Sequence, residues 1–269
     1  MAYSHTARRR LWLSLFAAAP LCLMLISCSS RRQETPGARA ENRGPTESEV
    51  TAQADRLWGA RENLERVRES VVLLRHARAA DPRSYETAWR LSRAAYRIGA
   101  YGTDENDRDT AFREGIASGE AAVRIAPGRA EGHFWLGANI GGRTELQGAI
   151  GSLAAVEDVR REMEAVIKID ESFQSGSAYM ALGQVDLKLP KMLGGDPQRA
   201  VEYLEKGLRF GERNALLRLR LAEAYLAVKR KEDARQQLNS IFTMTPNPDY
   251  LPEYKEAVAR AQTLLEKTR

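Results

Sequence analysis

From residue 49 onward, apolar residues recur at spacings of three and four, and no alternating stretch of any length appears. That periodicity predicts helices and no sheet. The clearest unit is 215–246. Leu221, Ala222 and Tyr225 fall on one face of a first helix, Ala234, Leu238 and Ile241 fall at i, i+4 and i+7 on a second, and Pro246 ends it. A small residue at the crossing point, with bulky residues filling the gaps around it, is the packing logic of an antiparallel helical hairpin.

The same register recurs along the chain. In 54–82, Leu57 and Trp58 precede Ser70, Leu74, Ala77 and Pro82; in 88–127, Ala88, Leu91, Ser92 and Ala95 precede Gly115, Gly119, Ala122 and Pro127. A polar insert, 99–110, reads as a lengthened loop between those two helices. Leu136-Gly137 heads a third hairpin whose second helix is 156–170. Leu182-Gly183 heads a fourth, completed by Ala200, Leu204 and Gly207 after the loop 188–198. The amphipathic segment 249–268 has no partner of its own, as a capping helix would not. The spacing resembles the tetratricopeptide repeat of about 34 residues. The expected fold is all-α: a right-handed α-solenoid of about five tetratricopeptide-like hairpins plus a C-terminal capping helix.

The N-terminus has a different character. Residues 1–10 end in Arg8, Arg9 and Arg10, and 11–27 carry no charge. A basic segment followed by a short apolar one reads as an export signal, with a retained membrane anchor as the alternative. Leu25-Ile26-Ser27-Cys28 resembles a bacterial lipobox, which implies cleavage before Cys28 and attachment of a diacylglycerol to its sulfur. Cys22 is a poorer candidate because bulky Leu21 would occupy the cleavage position. Residues 29–48 are rich in Ser, Pro, Gly, Arg and Glu and too poor in apolar side chains to fold; such a tether reaches roughly 25 Å. The expected organisation is a lipoprotein signal peptide at 1–27, a lipidated, disordered tether at 28–48 and the repeat domain at 49–269. By resemblance to diderm lipoproteins, Ser29 after the cysteine implies the periplasmic face of the outer membrane. With Cys28 lipidated and Cys22 removed, no intramolecular disulfide is expected.

Charge changes the picture little. The 269 residues carry a formal net charge of +5. Removing 1–27, which holds three arginines and no acid, leaves 38 bases against 36 acids. A chain so nearly neutral is not expected to track a phosphate backbone, so nucleic acid is not an expected partner.

Beyond the lipobox and tether, Trp89–Gly99 (WRLSRAAYRIG), His133–Gly137 (HFWLG) and Leu193–Ala200 (LGGDPQRA) resemble the TatT family. These are the T-component lipoproteins associated with tripartite ATP-independent periplasmic (TRAP) transporters. The resemblance implies an envelope accessory that binds a periplasmic substrate-binding protein, and with it a small hydrophobic or anionic ligand. The alternative is a general repeat scaffold that assembles an outer-membrane or secretion complex. Membrane contact would run through the lipid anchor, and homo-oligomers are compatible with either role.

The sequence carries no recognisable catalytic constellation. His76 and His133 do not stand in a zinc spacing. Gly137, Gly141 and Gly142 lack the lysine of a phosphate-binding loop and read instead as a helix end that permits positive φ. Gly115–Gly119 is not a nucleophile elbow, and Asp104, Glu105 and Asp107 read as solvated loop acids. No enzyme, metal site or cofactor is expected. The candidate groove residues lie on the first helices of the hairpins, which line a solenoid's concave face. They are Trp89, Arg93, Tyr96 and Arg97, then His133 and Phe134, Met180 and Gln184, and Leu219 and Glu223. An aromatic groove with a few arginines would suit a peptide, a partner surface or an anionic amphiphile. Trp89, Phe134, Met180 and Leu219 could equally seal adjacent repeats, and His133 could be a partly buried helix histidine.

Overall fold

The computed structural model describes residues 44–148 and 153–266. Among the described residues there are eleven α-helices and no strand: α1 Glu47–Gly59, α2 Leu64–Ala80, α3 Tyr85–Tyr101, α4 Glu105–Ile125, α5 Ala130–Leu146, α6 Leu153–Ile169, α7 Phe173–Lys188, α8 Pro197–Leu208, α9 Ala215–Ala227, α10 Lys231–Thr243 and α11 Leu251–Glu266. Consecutive helices pair into five hairpins, each packing on the next, and α11 packs on the last pair. Odd-numbered helices also touch one another directly, forming the inner layer. The signal segment 1–27 and Cys28 lie outside the described residues.

Local sequence sets the helix starts. Asn63, Ser84, Asp104, Asp196 and Asn214 each stand just before a helix and accept from its first-turn backbone, meeting donors that have no partner within the helix. Thr46 and Glu49 form a reciprocal capping box. That box places the start of the folded part inside the segment expected as tether: α1 begins at Glu47 and the compact unit at Pro45. The insert 99–110 is likewise not a long loop. Only residues 102–104 leave the helix, and Asp104 caps a 21-residue α4 that absorbs the remainder. Asp104, Glu105 and Asp107 are therefore cap and first-turn acids, where the helix dipole favours negative charge.

The core runs as three clusters along the stack. Leu204, Leu217, Leu219, Leu221, Leu238 and Ile241 are fully buried at the C-terminal end. Trp89, Phe134, Trp135, Met163 and Leu182 belong to the central cluster, and Val67, Leu74, Leu91 and Ile98 to the N-terminal one. Two polar knots interrupt this apolar packing. Fully buried Asn139 donates its amide to Ser92 O, Ser92 Oγ and Trp135 O (3.0, 3.1 and 2.7 Å), while Ser92 Oγ donates to Gly115 O. Asp186, also fully buried, accepts from Arg160 on α6 and Arg199 on α8. The Leu-Gly-Gly-Asp loop serves that second knot. Gly194 turns the chain at φ 88°, Gly195 lies where a Cβ would stand 1.9 Å from Leu189 O, and Asp196 caps α8 so that Arg199 reaches Asp186.

Candidate functional site

The ends of the array meet. Arg61, in the turn between α1 and α2, is 4% exposed and donates Nε and Nη2 to Glu253 on α11 at 2.9 and 2.6 Å. It also donates to Asp249 O at 2.5 Å. Lys255 pairs with Glu62 (2.9 Å), and Tyr101 donates to Glu256 (2.8 Å). The first hairpins and the cap are thus joined by charge-assisted bonds, and the inner layer curls around a cavity of about 1040 Å³.

Every odd-numbered helix from α1 to α9 contributes to the wall, and so does the turn before α11. Trp58, Tyr96, Phe134, Trp135 and Met180 give it an aromatic and apolar lining. Tyr96 and Trp135 pack at 5.6 Å between ring centres, Trp58 and Trp135 edge-on at 5.8 Å, and Phe134 and Trp135 edge-on at 5.0 Å, arrangements that aromatic quadrupoles favour. One second helix also reaches the cavity. Val156, Val159 and Met163 of α6 line it because α5 is narrow there. Gly137 allows Met163 to within 2.5 Å of where its Cβ would be, and Gly141 faces Val159. Gly137, Gly141 and Gly142 therefore do not end a helix with positive φ, as their sequence context predicted. They lie within α5, where small size permits close packing.

Arg61, Arg93 and Arg97 form the polar end of the cavity with Asp55 and Glu253. The Arg61 and Arg93 guanidiniums lie over the Trp58 ring at 5.1 and 4.5 Å. Asp55 accepts from both Arg90 (2.8 Å) and Arg93 (2.6 Å). Burial pushes the Asp55 carboxyl up, but these two guanidiniums outweigh it and hold it below the usual range. Burial lowers Arg93 to about 10, only partly offset by Asp55, which leaves it a cation at neutral pH.

Of the ten candidate groove residues, six line this cavity: Arg93, Tyr96, Arg97, Phe134, Met180 and Gln184. The other four do not. Trp89 packs in the central core with its indole N–H on Glu86 (3.0 Å) and the guanidiniums of Arg90 and Arg93 over its ring. Leu219 is fully buried, and Glu223 pairs with Arg220 and, on the cap helix, Arg260. The face of α9 that the register leaves open is covered by α11; Leu216 reaches the cavity instead.

His133 faces away from the cavity into the α5–α6 contact. Nδ1 stands 2.7 Å from Glu162 Oε2 and Nε2 2.9 Å from Pro127 O, so both ring nitrogens meet acceptors and the imidazolium satisfies both. The hydrogen bond to Glu162 raises its pKa above the ordinary 6.5. Burial pushes Glu162 up, but His133 and Arg161 together hold it below 4.5. A raised histidine stabilises the fold fully below pH 6.5 and loses that contribution as pH rises through its folded value. The lowered glutamate contributes above pH 4.5 and loses it as pH falls. The pair should thus contribute most between pH 4.5 and 6.5. Thermal melts at pH 5.5 and 8 should show the wild type losing about 1 kcal/mol more than His133→Gln across that interval.

An all-helical array of five hairpins with a capping helix is a tetratricopeptide-like solenoid. Among solved structures it is similar to TTC0263, a thermophilic TPR protein of Thermus thermophilus, at 18% identity and TM-score 0.54, covering 78% of this chain and 99% of that one. It is also similar to pilF of Pseudomonas aeruginosa, at 18% identity and TM-score 0.52, covering 82% and 92%. These likenesses concern the fold. The chain belongs to the family described as regulator of microtubule dynamics protein 1-3, whose model matches residues 50–269. No curated protein sequence matches it.

Proposed function

We propose that this protein is a non-catalytic carrier whose curled array of repeats encloses an elongated amphiphile. The observation that supports this most is closure. An open concave groove accommodates an extended partner chain laid across it, whereas here Arg61 and Glu253 join the two ends around about 1040 Å³. That volume is at the upper end of the roughly 300–1,000 Å³ typical of small-molecule sites. The wall is aromatic and aliphatic, and its buried cations, Arg61, Arg93 and Arg97, stand together at one end, a division that matches a tail and a head.

The sequence supports a second element of the proposal: the carrier is exported and lipid-anchored at Cys28, on the strength of Leu25–Cys28 and the polar segment after it. The narrower role, accessory to a TRAP transporter, is supported by the TatT-like residues of Leu193–Ala200. Its test is recovery of a substrate-binding protein on the full chain from envelope extract.

Native mass spectrometry of the full chain tests both elements. The expected spectrum carries a covalent acyl mass on Cys28 and a non-covalent mass of several hundred daltons. Ala138→Trp, which fills the cavity from α5, should remove the second and leave the first. A non-covalent mass that survives Ala138→Trp would place the ligand elsewhere, and an unmodified Cys28 would remove the anchor.

A further inference from the structure

At its polar end the cavity gathers three buried guanidiniums, and the buried polar atoms left unpaired on its wall, Arg93 Nε and the Trp135 indole nitrogen, are donors. We infer that this end seats an oxyanion, the carboxylate or phosphate head of the amphiphile; the inference rests on the carrier reading. Three buried guanidiniums, those of Arg61, Arg93 and Arg97, share two carboxylates, Asp55 and Glu253. Neither acid has capacity to spare. Asp55 also neutralises Arg90, whose other partner, Glu86, is in turn bound by Arg129. Glu253 is committed to Arg61 through both oxygens, leaving Arg97 4.0 Å away.

The hydrogen-bond inventory points the same way. Arg97 donates only Nε, to Arg61 O at 3.2 Å. Arg93 donates Nη2 to Asp55, and its buried Nε has no acceptor; the Trp135 indole N–H, also buried, has none either. Buried polar groups in folded proteins are almost always paired, so several unpaired donors around one cavity call for a ligand rich in acceptors. A neutral hydroxyl would supply an acceptor and no charge, and an ammonium head would face repulsion from three guanidiniums. Only an oxyanion answers both the donors and the charge. Of the other acids on the wall, Glu145 is paired with Lys188, and Glu212 and Asp249 are exposed to solvent, where their charge is screened.

The test uses the full chain in nanodiscs of zwitterionic lipid, titrated with three probes sharing one tail: 11-(dansylamino)undecanoic acid, the corresponding alcohol and the corresponding amine. The acid should bind about tenfold or more tighter than the alcohol, as one or two charge-assisted hydrogen bonds dictate, and the amine most weakly. Arg97→Gln should erase the preference for acid while leaving alcohol binding in place, and Arg97→Lys should retain part of it. Equal binding of acid and alcohol by the wild type overturns the oxyanion seat but leaves the carrier standing, whatever the variants do. Entry of none of the three probes overturns the carrier and the seat together. Displacement of the acid by free acetate or phosphate at equal concentration overturns the assignment to an amphiphile's head.

Discussion

Replacing Gly115 with valine should unfold the centre of the stack at an expected cost of about 3–5 kcal/mol. A Cβ at this position would stand 2.0 Å from Asn139 Oδ1 and 2.6 Å from its Nδ2. The Asn139 amide, fully buried, cannot move aside without giving up its bonds to Ser92 and Trp135. Three consecutive helices, α3, α4 and α5, are tied at that point, so the damage spreads over two hairpins. Urea denaturation reads the effect as a large fall in midpoint. Gly115→Ala should lie between the wild type and Gly115→Val, because the same contact is violated with less bulk. A Gly115→Val protein with the wild-type midpoint would show that α4 and α5 do not approach so closely.

Removing the closure should be nearly as costly. Glu253→Ala leaves the Arg61 guanidinium buried with only the Asp249 and Trp58 carbonyls as acceptors, and breaking a buried pair at one partner typically costs about 3–5 kcal/mol. Replacing both residues with apolar ones, as in Arg61→Met with Glu253→Leu, should restore most of the loss, since the penalty lies in the orphaned charge. Thermal melts read the two variants against each other. Limited proteolysis adds a local readout: α11 buries only Ala257 and Ala261 and should become the first helix cut in Glu253→Ala. An unchanged melt would mean the ends are not joined.

The repeat fold was legible because each hairpin carries its own evidence. Leu221, Ala222 and Tyr225 against Ala234, Leu238 and Ile241 specify a crossing within a single repeat, and the same pattern recurs up the chain. Local signals also explain most helix starts, through Asn63, Ser84, Asp104, Asp196 and Asn214. The site was legible only in part. Arg93, Tyr96 and Arg97 share one face of α3, as do Met180 and Gln184 on α7, and the cavity takes all five. Leu219 and Glu223 share a face of α9 by the same arithmetic, yet α11 covers that face. Periodicity locates a helix face without saying what lies against it. Arg61 and Glu253 could not be found by periodicity either, since 192 positions separate them and neither belongs to a motif. The contribution of α6 had a signal that was present but misread: Gly137, Gly141 and Gly142 mark a thin helix, not a broken one.

Uptake of an amphiphile by the cavity is measured most directly by fluorescence quenching with 9,10-dibromostearate on the unit from residue 45 to 269. That unit contains Trp58, Trp89 and Trp135, of which Trp58 and Trp135 line the cavity and Trp89 does not. Saturable quenching is expected in the wild type and should disappear in Trp58→Phe/Trp135→Phe, where only Trp89 remains to emit. Equal fractional quenching of that variant, or none in the wild type, would contradict a cavity that takes up an amphiphile.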